Sequence, residues 1–248
     1  MSYAAGRAAV NLEMPDRIPR TEFDAENHWP LVQAVTGIHV DLDSPKDHVQ
    51  QARRAFVRAW DYDICLTPLI GHQELDARRT SMGHSQYAAW GVDYDDNVYC
   101  PFQSPEEVFA ADPWELYGPQ DKRKLVRRFD EHYDAQRALY PDLVSMTGTY
   151  VTLFSGLIAM FGWEMLLTAG GLDPVRLGEV ANRYASWMQQ YYDALAESKA
   201  QVIYSHDDIV WASGPVFHPE WYRSYIFPNY KRLYAPLIES GKKVIFIS

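Results

Sequence analysis

The chain has 248 residues, 47% of them hydrophobic, which suits one large domain or two small ones with a full core. Its net charge of −10, from 33 acidic against 23 basic residues, argues against nucleic-acid binding, which needs a basic surface. The same balance weighs against a polyanionic substrate unless arginines gather at the site. Two cysteines, Cys65 and Cys100, form no CxxC or CxH pattern, so neither is a zinc signal alone. The sequence reads without a signal peptide or a membrane-length apolar run, so the expectation is a reduced cytoplasm and no membrane.

Short apolar runs alternate with polar loops and helical stretches. The first candidate strand is RIPRTEF (17–23). A helix over PKDHVQQARRAFVRAW (45–60) leads into the second strand, YDICLTPL (62–69). Residues 83–105 read as a turn-rich excursion with the look of a hairpin. DKRKLVRR (121–128) is a basic run, read as a solvated helix face or a dock for an acidic partner. The third strand is DLVSMTGTY (142–150). Asp173-Pro174, a cap followed by proline, opens the clearest helix. Its Val180, Tyr184, Trp187, Met188, Tyr191 and Leu195 recur at helical spacing and predict a buried face. The fourth strand is AQVIYSH (200–206), and a helix from His218-Pro219, broken at Pro228, ends near Gly241. The fifth strand is KKVIFIS (242–248).

Strands alternating with helices predict an α/β fold with a parallel sheet. The strands are short and apolar rather than alternating, as in a sheet covered on both faces. A doubly wound sheet and a βα barrel both fit, and no GxGxxG or GxxxxGK[ST] sequence supports a nucleotide site. In a barrel, chemistry sits at the carboxyl ends of strands. His206, Asp207 and Asp208 end the fourth strand, and TEFDAENHW (21–29) and TGTY (147–150) point to the same rim. Five strands are present where a barrel has eight, and the chain stops on an apolar strand. The expectation is a single βα-barrel (TIM-type) domain over residues 1–248, the amino-terminal portion of a longer barrel.

Taken in order, several stretches resemble the uroporphyrinogen decarboxylase superfamily, and within it the corrinoid-dependent methyltransferase branch. HDDIVWASGPVFHPEWYRSYIFPNYKRL (206–233) carries a pair of aspartates, a Gly-Pro, a Pro-Glu helix start and a proline followed by a basic pair. PDRIPRTEF, WGVDY with PFQSPEEVFAADPW, and TGTYVTLFSGLIAMFGWEMLL resemble earlier family segments. The likeness runs from Asn11 onward and rests on the order of the motifs rather than on any one.

The resemblance implies a βα barrel that moves a methyl group from a small O-methyl substrate, such as an aromatic methyl ether, to a corrinoid carried on a partner protein. The alternatives are a decarboxylase of the uroporphyrinogen type and a non-catalytic relative. The glycine- and arginine-bearing motif of the true decarboxylases is replaced here by RTEFDAENHWP. Many of the methyltransferases hold zinc through a His-x-Cys at the end of strand five; those positions are Phe246 and Ser248. Zinc is therefore expected only through other ligands, which the sequence does not identify.

A methyl ether gives up its methyl group only if the departing oxygen is protonated or bound to a Lewis acid. His206 and Asp208 fall on one side of an extended strand and Asp207 on the other. The first two are the candidate catalytic pair, with Asp207 as orienter or loop anchor. Trp211 and Tyr150 are candidate walls of the substrate pocket, and Glu22 and His28 follow strand one towards the rim. His218 reads as a helix-start residue. The aromatic content, 14%, fits a packed core before it fits a ligand pocket, and leaves room for a homodimer.

Overall fold

A computed structural model of the chain describes residues 1–80, 86–88, 91–93, 99–211 and 213–248; for residues 76, 77, 86–88, 91–93 and 211 the backbone alone is described. The early elements are α1 (Tyr3–Val10), α2 (Trp29–Thr36), α3 (Lys46–Ala59), β1 (Gln86–Ala88) and β2 (Gly91–Asp93). There follow α4 (Pro105–Ala110), α5 (Pro113–Tyr117), α6 (Lys122–Leu139), β3 (Thr147–Thr149), α7 (Phe154–Leu172) and α8 (Pro174–Glu197). The last are β4 (Val202–His206), β5 (Val210–Trp211), β6 (Gly214–Pro215), α9 (Pro219–Tyr225), α10 (Phe227–Glu239) and β7 (Lys243–Ile247).

The chain divides into two compact units. Unit 1 comprises Met1–Thr67, His84–Asp96 and Asp134–Met146, and unit 2 comprises Pro68–Gly83, Asn97–Tyr133 and Thr147–Ser248.

In unit 1, α2 and α3 close over a core of Val32, Ala52, Phe56, Val57, Tyr62 and Leu143. The stretch expected as the first strand, 17–23, is not one. Pro19 supplies no N–H, and Arg20 N donates to the Asp63 carboxylate (3.0 Å) rather than into a ladder. Arg17 binds the same carboxylate (2.6 Å), so the buried Asp63 fixes this segment by side-chain bonds. One backbone bond, Asp63 N to Arg20 O (2.8 Å), is strand-like. The second expected strand survives in this unit as an isolated parallel bridge, Ile64 with Val144. The excursion at 83–105 contains an antiparallel pair, β1 with β2.

Unit 2 is built on a parallel sheet of order β3-β4-β7. The β4 residues are all buried, as a central parallel strand requires. At Gly148 the neighbouring strand runs so close that a Cβ would lie 1.8 Å from Tyr204 O, which excludes any other residue there. Leu69 N and Ile70 N both donate to Gly148 O, so the second run touches this sheet at one further bridge, Ile70 with Thr149. The fold is thus α/β, and a closed barrel is not formed by the described residues.

The helices of unit 2 follow their sequence signals. Asp173 caps α8 by accepting from Val175 N (3.1 Å) and Arg176 N (3.0 Å), with Pro174 in the first turn. Its periodic residues Tyr184, Trp187, Met188, Tyr191 and Leu195 are fully buried. The broken helix appears as α9 and α10, with Pro228 in the first turn of α10 and Gly241 in the left-handed region beyond it. The basic run forms the start of α6, whose buried residues are Leu125 and Phe129.

Helix α7 differs from expectation. By length and composition it is apolar enough to cross a membrane. Its residues from Phe154 to Gly162 are buried in the core of unit 2, against α8 among others. Gly162, at φ 71°, kinks the helix where a left-handed residue interrupts the backbone pattern.

Candidate functional site

The site grows from the end of β4. His206 pairs with Ile247 of β7 and is the last residue of the strand. The chain then leaves the ladder: Asp207 N donates to Ile247 O (3.0 Å) and Asp208 N to Ser155 Oγ (2.7 Å). Successive side chains alternate as strand geometry requires. His206 and Asp208 meet on one side, with Nε2 and Oδ1 3.2 Å apart, while Asp207 turns into the core.

His206 is held from two directions. Its Nδ1 lies 2.9 Å from Tyr150 O; a carbonyl only accepts, so Nδ1 carries a hydrogen and donates it. The Tyr150 ring lies flat on the imidazole, with centroids 4.0 Å apart and planes 3° from parallel. With Nδ1 committed, Nε2 and Asp208 Oδ1 share one transferable proton. Burial opposes charge on His206, but the Asp208 carboxylate and the Tyr150 carbonyl outweigh it and raise the pKa above its ordinary value. The His206 side chain is 7% exposed and that of Asp208 41%, so the pair faces solvent through the carboxylate.

Asp207 does a different job. It is fully buried and accepts from Leu153 N (3.2 Å) and Phe154 N (2.9 Å) on one oxygen and from Ser155 N on the other. The Tyr230 hydroxyl from α10 is its fourth donor. These backbone donors are the free N–H groups at the start of α7, which no residue of that helix satisfies. Burial pushes the Asp207 carboxyl up, against the Tyr230 hydroxyl and the Ser155 and Phe154 N–H groups, which favour the anion. Burial and the nearby Asp207 charge push the Tyr230 hydroxyl up as well, so it remains a donor.

Behind the pair lies a cluster that the sequence did not announce. Five hydroxyls meet: Thr149, Thr152, Tyr192, Ser205 and Tyr234. Thr149 contacts Thr152 and Tyr192, each at 2.8 Å, and Thr152 contacts Tyr192 (3.2 Å) and Ser205 (3.1 Å). Ser205 contacts Tyr192 (2.9 Å) and Tyr234 (2.8 Å). Each hydroxyl has one hydrogen to give, so this closed network is satisfied internally and needs nothing from solvent. One available signal was the i, i+4 pair Tyr230 and Tyr234, whose rings stack at 5.7 Å on α10. Another was the hydroxyl run in TGTYVT (147–152).

The remaining candidates separate. Tyr150, expected as a pocket wall, stacks on His206. The side chain of Trp211 lies outside the described residues. Glu22 and His28 belong to unit 1, where His28 is a cap: its Nδ1 accepts from Leu31 N (3.2 Å) at the start of α2. Glu22 is exposed and contributes to the negative field that raises the Tyr62 hydroxyl. His218 caps α9 through Glu220 N (3.3 Å).

The described residues do not fit a zinc ion. Among the described residues no group of three or more His, Cys, Asp or Glu is placed to hold one. Both nitrogens of His206 are engaged, and Asp207 is committed to α7. Ser248 Oγ accepts from Ile209 N (3.3 Å), and the Phe246 ring packs on Tyr230 at 5.3 Å. Burial pushes the Cys65 thiol up to about 12, away from the thiolate a metal binds.

No protein-family model matches the chain, and no curated protein matches it. Among solved structures it is similar to a methyltransferase from Methanosarcina mazei, with 13% identity and a TM-score of 0.54. The alignment covers 99% of this chain and 69% of that one. At this identity the likeness establishes a shared fold.

Proposed function

We propose that the chain is a methyltransferase that takes the methyl group of a small O-methyl compound and passes it to a corrinoid carried on a partner protein. The observation that carries the reading is the His206–Asp208 pair at the carboxyl end of β4, one proton shared at 3.2 Å and offered outward through a half-exposed carboxylate. The fold shared with a protein named as a methyltransferase and the order of motifs along the sequence support it. The βα barrel of that branch, completed by further strands, is part of the proposal.

In the proposed reaction the reduced corrinoid is the methyl acceptor. The methyl carbon forms its new bond to the acceptor as the carbon–oxygen bond breaks, and the bonding pair stays on oxygen. The departing oxygen takes the proton held between Nε2 and Oδ1, leaving the pair one proton short. Asp208 is the group that meets the oxygen, since His206 is shielded by the Tyr150 ring. His206, raised in pKa, resupplies Asp208 and fixes its orientation. The flat Tyr150 ring beside the pair suits an aromatic ether. No step is routed through a metal.

The test mixes the protein with a reduced corrinoid protein, methoxylated aromatics and methanol, and follows the corrinoid absorbance. Methyl transfer from one donor class is expected. Asp208→Ala and His206→Ala should each lower the rate about 10²- to 10⁴-fold, the usual weight of a general acid, with an unchanged circular dichroism spectrum. Wild-type rates in both variants would remove the site; transfer from no donor would remove the reaction.

A further inference from the structure

Ser155 is the second residue of α7 and is 3% exposed. It touches both aspartates, with different atoms. Its backbone N donates to Asp207 Oδ1, and its Oγ accepts from Asp208 N (2.7 Å). The first contact belongs to the capping of α7, and the second does not. Asp207 already serves the free N–H groups of Leu153, Phe154 and Ser155, so the helix start does not need the Ser155 hydroxyl. A buried hydroxyl costs stability unless it is bonded, and alanine is the better helix former. What this hydroxyl meets is the backbone of Asp208.

That backbone is where the sheet releases the chain. Asp207 N still donates to Ile247 O (3.0 Å) of β7, and the next N–H, that of Asp208, goes to Ser155 instead. Ile209 N then turns back on Asp207 O (2.9 Å), a three-residue turn with Asp208 at its centre, and also reaches Ser248 Oγ (3.3 Å). Asp208 therefore has a pinned amide on either side, and its Cα–Cβ bond has one direction. The side-chain torsions then aim the carboxylate at His206 Nε2, 3.2 Å away. That carboxylate is 41% exposed, so water competes for it. A turn free to rock would give it up to solvent.

We propose that Ser155 is a positioning residue, whose hydroxyl fixes the turn at Asp208 so that the carboxylate stays on His206 Nε2. Its part in catalysis rests on the methyl-transfer reading; its hold on the pair does not. Burial lowers the His206 pKa, and Asp208, the Tyr150 carbonyl and the Asp207 charge raise it. Ser155→Ala keeps the backbone N–H on Asp207 and does not touch the Tyr150 carbonyl. Of the three groups that favour the imidazolium, it loosens Asp208 alone.

The test follows the His206 ring hydrogens by NMR across pH in the full chain, for the wild type, Ser155→Ala, Asp208→Asn and the double variant. Ser155→Ala should move the titration to lower pH in the wild-type background. It should not move it in the Asp208→Asn background, because Ser155 acts through Asp208. An unmoved titration in Ser155→Ala would overturn the proposal. An equal shift in both backgrounds would overturn it too, since it would mark a general loosening of the fold. Should the alanine variant lose its fold by circular dichroism, Ser155→Cys takes its place with the same expected outcome, since it keeps the volume and accepts weakly. With a methyl donor and a reduced corrinoid protein, Ser155→Ala should lower kcat about ten- to a hundredfold with KM unchanged. A shifted titration with wild-type kcat would overturn its part in catalysis. A wild type that transfers no methyl group would end the methyl-transfer reading, and the titration would still decide the hold of Ser155 on the pair.

Discussion

Asp207 and Glu26 are both carboxylates removed from water, and they live in opposite circumstances. Asp207 has four donors, three of them backbone N–H groups at the start of α7. Glu26 has an oxygen with no partner, beside two other orphaned atoms. Burial raises the pKa of both. Around Asp207 in unit 2 the polar groups are closed on themselves, down to the five-hydroxyl cluster. Around Glu26 in unit 1, Glu26 Oε2, Asn27 Oδ1 and Arg53 Nε are left without a partner. A satisfied polar network fixes a geometry, and an unpaired buried group costs stability.

The largest effect should come from breaking the closed region. Asp207→Ala removes the acceptor for three buried N–H groups and for Tyr230 together, and should cost about 3–5 kcal/mol in urea unfolding. A loss below about 1 kcal/mol would show that the start of α7 finds other partners. Tyr192→Phe takes one hydroxyl out of the cluster and leaves Thr149, Thr152 and Ser205 short of a partner. About 1–2 kcal/mol should be lost, read in the same way. Glu26→Gln is the contrasting change. It removes an acid that burial disfavours and keeps a side-chain oxygen for the backbone N–H that the carboxyl accepts, so stability should stay within about 0.5 kcal/mol of wild type or rise. A cost as large as that of Asp207→Ala would erase the distinction between the two regions.

What was legible in the sequence follows from range. Helix α8, with its cap and periodic face, and strands β4 and β7 are set by neighbours in the chain, and their local patterns announce them. The meeting of His206 with Asp208 was legible because strand alternation puts both on one side. The first expected strand failed because its fate depends on Asp63, more than forty positions away, whose carboxylate takes the Arg20 N–H that a ladder would have used. Local apolar character could not reveal that. The zinc positions Phe246 and Ser248 departed from the pattern, and the structure gives both other partners. Long-range closure also hid the role of Tyr230. Its hydroxyl meets Asp207 across 23 positions, and only the folded chain brings α10 to the start of α7. The unpaired atoms of unit 1 were invisible for the same reason. An orphaned atom is defined by what fails to arrive, and no spacing encodes that.

The last effect tests the boundary between the two kinds of region, since Asp208 is the exposed end of an otherwise buried site. The folded-state pKa of His206 lies above its ordinary 6.5, with Asp208 the main cause of the rise. A histidine raised in the fold contributes stability that is fully present below its unfolded pKa and is lost as pH rises through the folded value. The pair should therefore stabilise the protein most on the acid side of 6.5 and fade above it. Solvent screening at a carboxylate 41% exposed holds the contribution below about 1 kcal/mol. Asp208→Asn keeps the shape and removes the charge. In this variant the His206 titration, followed by the NMR shifts of its ring hydrogens, should move to lower pH, and the acid-side gain in urea midpoint should shrink. An unmoved titration would mean that the Tyr150 carbonyl and the Asp207 charge hold the imidazolium without Asp208. Asp208 would then belong with the solvated surface, and the open face of unit 2 would have no proton to offer.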